Sequence, residues 1–191
     1  EVLRILSEEE NQYIRKQAAI QLQYPLKEHW EAICEDQVSE EIKSSILTSL
    51  SNEPDMYIRD SILHSMEFII SKNYPWPQLL QFARELIEQN KLIQIETALK
   101  VLYIWVQYIS DDDFESLIPE IGEYIVNATS SESINIQIAG FRLFQQIIPK
   151  FNTPLQSPFS DILERLFSVF KESMVQMANE FNIFSDIIEK I

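Results

Sequence analysis

The segment Ile14-Arg15-Lys16-Gln17-Ala18-Ala19-Ile20-Gln21-Leu22 decides the fold, because its apolar residues Ile14, Ala18 and Leu22 recur every four positions. Residues at this spacing lie on one face of an α-helix. Three later sets repeat the spacing: Ile58, Ile62 and Met66; Ile95, Leu99 and Tyr103; Ile136, Gly140 and Phe144. No run of alternating apolar and polar residues bounded by turn signals indicates a strand. The chain is therefore predicted to be all-α.

The four sets also recur at a regular distance along the chain. They begin at Ile14, Ile58, Ile95 and Ile136, so successive sets are 44, 37 and 41 residues apart. A period of about 41 residues is typical of two-helix HEAT-type units. Such pairs bury their apolar faces by stacking on their neighbours. We expect a right-handed α-solenoid of about four to five HEAT-type helix pairs, an ARM-like superhelix. A helical bundle is the competing interpretation.

The period divides the chain into predicted repeats and helices. We expect one HEAT-repeat segment over residues 1–191, with repeats at approximately 1–30, 38–73, 76–109, 112–150 and 155–191. The predicted A helices span residues 40–50, 78–89, 113–126 and 158 to about 177, and the predicted B helices span 11 to about 30, 56–72, 92–109 and 133–148. Residues 1–6 are expected to end an A helix whose start is missing, so the chain is expected to be a fragment of a longer protein. Pro25 falls inside the first B helix and is expected to kink or shorten it.

The charge balance limits the kinds of molecule that the chain is expected to bind. The chain carries 15 Lys and Arg residues against 30 Asp and Glu residues, which gives a formal net charge of −15. Nucleic-acid binding depends on Lys and Arg contacts to phosphates, so the acid excess argues against a nucleic-acid partner. It favours basic partners, and simple solubility is the alternative interpretation of the same charge.

Several classes of site lack the residues that they need. Two isolated glycines cannot build a phosphate loop or a dinucleotide fingerprint. One cysteine and two histidines do not supply the ligands of a usual zinc site. The longest uninterrupted apolar run, Val101 to Val106, is far shorter than the roughly 20 residues of a membrane span. We therefore predict no cofactor, no metal site, no catalytic residues, no membrane insertion and no enzymatic activity.

Specific motifs resemble a known family. The segment from Ile14 to Leu22, followed by Leu26 and Trp30, resembles the first-repeat B helix of the importin-beta superfamily, and residues 38–47 resemble its second-repeat A helix. Tyr74-Pro75 followed by Trp76-Pro77 is similar to the join between the second and third repeats. Residues 98–103 and 135–144 resemble the third and fourth B helices. The order of repeats is closest to the importin seven/eight branch.

Two departures from the family pattern accompany this resemblance. Gln23-Tyr24, followed by Pro25, stands where the family has Lys-Asn. The join also lacks the two residues that usually separate Tyr-Pro from Trp-Pro.

The resemblance implies a nuclear transport receptor. In this family the B helices of the first repeats line the concave wall and hold the small GTPase Ran in its GTP form. The resemblance therefore implies these candidate contacts: Gln17, Gln21, Lys27, Asp60, His64 and Glu67. It also implies basic protein cargo, FG-nucleoporins as partners, and shuttling between cytoplasm and nucleus through the nuclear pore. A non-transport HEAT scaffold subunit that mediates protein–protein interactions is the alternative function.

Overall fold

The computed structural model describes residues 1–35, 38–72 and 76–150, together with residues 164, 165 and 168. These described residues form helices and short connections without a strand, which confirms the all-α prediction. The helices are α1 (Val2–Glu8), α2 (Gln12–Glu35), α3 (Ser39–Asn52), α4 (Met56–Ser71), α5 (Gln78–Glu88), α6 (Leu92–Trp105), α7 (Asp111–Thr129) and α8 (Ile134–Ile147), and a 3₁₀ turn, Ile148–Lys150, follows α8.

The predicted helices within the described ranges are all present, and their starts lie within two residues of the predicted ones. The ends differ more, because α2 continues to Glu35 and α6 stops at Trp105. The expected fifth repeat at 155–191, its helix at 158–177 and the Tyr74-Pro75 pair lie outside the described residues, apart from residues 164, 165 and 168.

Pro25 lies inside α2, which continues to Glu35, so of the two expected effects, a kink or a shortening, the helix is not shortened. The physical reason is packing on both sides of the proline. Leu22 precedes Pro25, Leu26 and Trp30 follow it, and all three are buried. Burial of three large apolar side chains, at about 1.5–3 kcal/mol each, outweighs the roughly 3 kcal/mol that an interior proline costs a helix.

The chain divides into two compact units, of which the first spans Glu1–Ile109. In this unit α1 packs on α2, α3 on α4, and α5 on α6, which gives three helix pairs. The second helices of successive pairs also touch, α2 against α4 and α4 against α6. This arrangement is consistent with stacked HEAT-type repeats, in which the B helices α2, α4 and α6 form one layer.

The second unit spans Ser110–Ile191, and within its described part α7 packs on α8. The Oγ atom of Ser110 accepts a hydrogen bond from the Asp113 backbone N–H at 3.2 Å and so caps the start of α7. Gly140 permits a close approach of the two helices, since a Cβ atom at this position would lie 2.7 Å from Ala128 Cβ.

No helix within the described ranges has both the length and the apolar character needed to cross a membrane.

Candidate functional site

Two arginines fix the starts of the first two B helices. Nη1 of Arg15 and Nη1 of Arg59 each donate to the carbonyl oxygens five and six positions earlier, at 2.8 and 3.1 Å in both cases. Each guanidinium therefore ties a B helix to the loop that precedes it. We call this arrangement the arginine clamp.

Each clamp also pairs with a carboxylate of the next repeat. The Arg15 guanidinium makes two hydrogen bonds to the Glu53 carboxylate, at 2.9 and 3.2 Å, and Arg59 Nη2 lies 3.9 Å from Glu96 Oε2. The hydrogen bond to Glu53 is the largest cause of the raised pKa of Arg15. The side chains of Glu53, Arg59 and Glu96 are all less than a tenth exposed, so these pairs are part of the interior that holds successive repeats together.

Lys100 extends the pair of Arg59 and Glu96 towards the surface. Nζ of Lys100 lies 2.8 Å from Glu96 Oε1 and 2.7 Å from Asp60 Oδ1. Asp60, one of the candidate GTPase contacts, is therefore joined across 40 residues to the third B helix.

The candidate residues on α2 are exposed but do not share one face. Gln17 and Gln21 are four positions apart, so their side chains lie one above the other on the helix. Lys27 follows Gln21 by six positions and is turned about 120° away from it in a regular helix. Lys27 Nζ lies 3.9 Å from Glu28 Oε1. The structure brings the two glutamines together and separates the lysine from them.

The candidates on α4 follow one face, because Asp60, His64 and Glu67 are spaced four and three residues apart. His64 Nδ1 lies 3.4 Å from Glu67 Oε2, and the His64 ring meets the Phe68 ring edge-on at 4.9 Å between centroids. Burial raises the pKa of Tyr108, and the charge of Glu67 raises it further. All three candidates therefore already have partners inside the first unit.

Sequence analysis missed three exposed tyrosines on the same two helices. Tyr13 is 70%, Tyr24 66% and Tyr57 63% exposed. The Nζ atom of Lys16 lies 5.4 Å from the centroid of the Tyr57 ring, a cation–π contact between α2 and α4.

A sequence signal for two of these tyrosines was present. The tripeptide Tyr-Ile-Arg occurs at residues 13–15 and again at 57–59. The arginine of each copy forms the clamp, whereas the tyrosine of each copy stays at the surface.

Within the part of the chain that the structure describes, no group of three or more His, Cys, Asp or Glu residues is placed to hold a metal ion. What α2 and α4 present is a mixed surface of tyrosines, amides and carboxylates, and such a surface can bind another protein.

Comparison with known proteins gives one finding. Residues 1–66 match the family model of the importin-beta N-terminal domain. Comparisons with curated proteins and with solved structures gave no match. The matched region contains α1, α2, α3 and most of α4, and hence both arginine clamps and all three exposed tyrosines. The match supports a relationship of this part of the chain to the importin-beta superfamily.

Proposed function

We propose that the chain is a segment of a nuclear transport receptor that binds a Ran-type small GTPase in its GTP form through α2 and α4. The observation that carries the proposal is the position of the family match. Residues 1–66 are matched to the importin-beta N-terminal domain, and these residues supply the two B helices whose tyrosines and polar side chains are exposed.

The way in which α2 and α4 are held in place favours recognition of one nucleotide state of the GTPase. A small GTPase orders its switch loops when the γ-phosphate is bound and releases them after hydrolysis. A preformed surface binds an ordered partner without the cost of ordering it. The clamps at Arg15 and Arg59 hold α2 and α4 to their loops and to the next repeats, so this surface is held in place before the GTPase arrives.

The other parts of the proposal rest on charge and on resemblance. The net charge of −15 attracts basic protein cargo. FG-nucleoporin binding, shuttling between cytoplasm and nucleus, and placement in the importin seven/eight branch follow from the motifs in the sequence. The proposed receptor is not an enzyme and requires no cofactor, because it acts by binding and release.

The test is a calorimetric titration of the full chain with Ran loaded with GDP or with a non-hydrolysable GTP analogue. We expect the GTP form to bind at least tenfold more tightly, a difference of about 1.4 kcal/mol. Equal affinity for the two forms would refute the proposal. Absence of binding in both states would favour the HEAT scaffold instead.

The choice of variants follows from the ion pairs. Asp60→Lys would place two cations together at Lys100, so it would disturb packing as well as any binding surface. Gln17→Lys with Gln21→Lys adds two positive charges on exposed positions and avoids that defect. We expect this double substitution to weaken binding of the GTP-bound GTPase. Glu85→Gln with Glu88→Gln, two exposed positions on α5, changes the net charge equally and is expected to leave binding unaltered.

A further inference from the structure

A polar groove lies between α1 and α3, the first helices of the first two pairs. The two helices are in contact and enclose a space of about 450 Å³. A space of this volume is typical of sites that take a small molecule or a single large side chain. Half of the residues that line it carry a hydroxyl group, and these are Ser7, Ser44, Ser45, Thr48 and Ser49. We call this space the hydroxyl groove.

Ser49 is the unusual residue of the hydroxyl groove. It is 5% exposed, and its Oγ atom makes no hydrogen bond within the described part of the chain. Serine and threonine inside a helix often donate to the carbonyl oxygen four positions earlier. Ser45 does so to Glu41 at 2.8 Å and Thr48 to Ser44 at 3.0 Å. A buried hydroxyl without a partner is unfavourable, so Ser49 holds an unused hydrogen-bonding group at the groove.

The other hydroxyl groups determine which kind of ligand can bind beside Ser49. The Oγ atom of Ser7 lies 3.2 Å from the Leu3 carbonyl oxygen and 3.1 Å from that of Arg4. A hydroxyl has one proton and two lone pairs. In Ser7, Ser45 and Thr48 the backbone carbonyls already take the proton, so only lone pairs are left for a ligand. A ligand of the groove therefore has to donate hydrogen bonds.

The charges at the hydroxyl groove favour a cation. Arg4 is the only cation among the described residues that line it, and this guanidinium is shared between Glu1 Oε1 at 2.8 Å and Glu8 Oε2 at 3.2 Å. Glu41 adds a third carboxylate on the α3 side. One cation against three carboxylates leaves a formal charge of −2 at the groove. An anion is repelled by this charge, whereas a cation that donates hydrogen bonds is attracted.

We propose that the hydroxyl groove binds an arginine side chain of a basic partner segment. The guanidinium donates to Ser49 Oγ and to the neighbouring hydroxyl oxygens, and the Glu41 carboxylate balances its charge. The apolar stem packs on Leu3 and Ile42, which line the groove and are half-buried. Arginine fits better than lysine, because its five N–H groups form a fixed planar array that can reach several acceptors at once. This inference goes beyond the proposed function, which assigns GTPase binding to α2 and α4.

The arginine requirement is tested by calorimetric titration of the full chain with a flexible peptide of Arg, Gly and Ser residues. A matched peptide carries citrulline, the uncharged isostere, in place of each arginine. Hydrogen bonds from an ionised donor are stronger than those from a neutral one. We expect the arginine peptide to bind about tenfold more tightly or better.

The role of Ser49 is tested with Ser49→Ala. We expect the arginine peptide to bind this variant about fivefold more weakly, because one acceptor of the guanidinium is lost. The melting temperature should stay the same or rise, since the substitution removes a buried hydroxyl that has no partner. Ser65→Ala is the control, because Ser65 is also buried but its Oγ donates to the Ser61 carbonyl oxygen at 3.0 Å. Its peptide affinity should stay within about twofold of the unchanged chain.

The charge requirement is tested with Glu41→Gln, against Glu88→Gln on α5 as the control. Both positions are exposed, and both variants change the net charge by the same amount. We expect only Glu41→Gln to weaken binding of the arginine peptide severalfold and to reduce its dependence on salt concentration. Equal effects of the two variants would mean that the peptide follows the net charge, and would refute the site.

The remaining outcomes are also decisive. Equal affinity for the arginine and citrulline peptides, or normal affinity of Ser49→Ala, would refute the hydroxyl groove as an arginine site. A lower melting temperature of Ser49→Ala with unchanged affinity would refute it as well, because the hydroxyl would then stabilise the fold. The proposed function fails separately. If the chain does not distinguish the two nucleotide states of the GTPase but binds the arginine peptide through Ser49, the groove stands without it.

Discussion

Arg15 and Arg59 show that the arginine of the repeated Tyr-Ile-Arg motif can have a structural role while the tyrosine of the same motif stays exposed at the surface. Counting from the apolar sets, the equivalent positions of the third and fourth repeats hold Glu96 and Gln137. Gln137 Nε2 donates to the Ser131 carbonyl oxygen at 2.7 Å, six positions earlier, as each arginine does. The hydrogen bond to the preceding loop thus recurs in the fourth repeat without the charge. Each arginine also links its helix to a carboxylate of the following repeat.

The first prediction concerns Arg59, which is 3% exposed. Arg59→Met should lower the free energy of unfolding by about 3 kcal/mol, because it frees two loop carbonyls and removes a partner of the buried Glu96 carboxylate. Chemical denaturation measures the change. Arg4→Met removes an arginine whose ion pairs are exposed, and this control should melt like the unchanged chain. Similar stability of the two variants would contradict the clamp.

The second prediction concerns the contact between α7 and α8. Gly140→Ala places a methyl group 2.7 Å from Ala128 Cβ, so the helices must separate. We expect a loss of about 1–2 kcal/mol of stability, although alanine favours a helix more than glycine does. Adding Ala128→Gly should recover part of the loss, which thermal melting of the double variant would show. An increase in melting temperature for Gly140→Ala alone would mean that the helices are not in close contact there.

At the scale of the element, Pro25 destabilises α2 from within. The helix still forms because its apolar face is buried. Pro25→Ala supplies a backbone N–H that can donate to the Gln21 carbonyl oxygen four positions earlier. We expect a gain of about 1–3 kcal/mol in the free energy of unfolding. Thermal melting and helical circular dichroism measure the change, and Gln23→Ala in the same helix is the control for propensity alone. A lower melting temperature would show that packing of Leu22 and Leu26 depends on the proline.

The helices were predictable from sequence because each signal is local to the element. Apolar spacing located the B helices α2, α4, α6 and α8, and the repeat period placed the helices between them. Helix ends were less accurate, since α2 passes Pro25 by virtue of contacts with other helices. The site was predictable only in part. The pairing of Asp60 with Lys100 joins residues 40 positions apart, and the exposure of Tyr24 depends on which face α1 and α4 cover.

At the scale of the whole molecule, the net charge of −15 repels itself in the folded state. Raising salt from low to physiological concentration screens this repulsion, so the melting temperature should rise by about 2–4 °C, equivalent to about 1 kcal/mol for a chain of this size. A neutral osmolyte of matched osmolality separates screening from general exclusion effects. A falling melting temperature would mean that ion pairs such as Lys100–Asp60 outweigh the repulsion.

The arginine clamp also determines at which positions the chain can be truncated and still fold. A shortened protein that ends between Arg59 and Glu96 would leave the buried Arg59 guanidinium without its carboxylate, and one that ends before Glu53 would remove the carboxylate that pairs with the partly buried Arg15. Gln137, which carries no charge, finds its hydrogen-bond acceptor within its own repeat. The boundaries at which soluble pieces can be expressed are therefore set by buried charges rather than by the repeat period, and a piece that keeps Arg59 has to keep α6 as well.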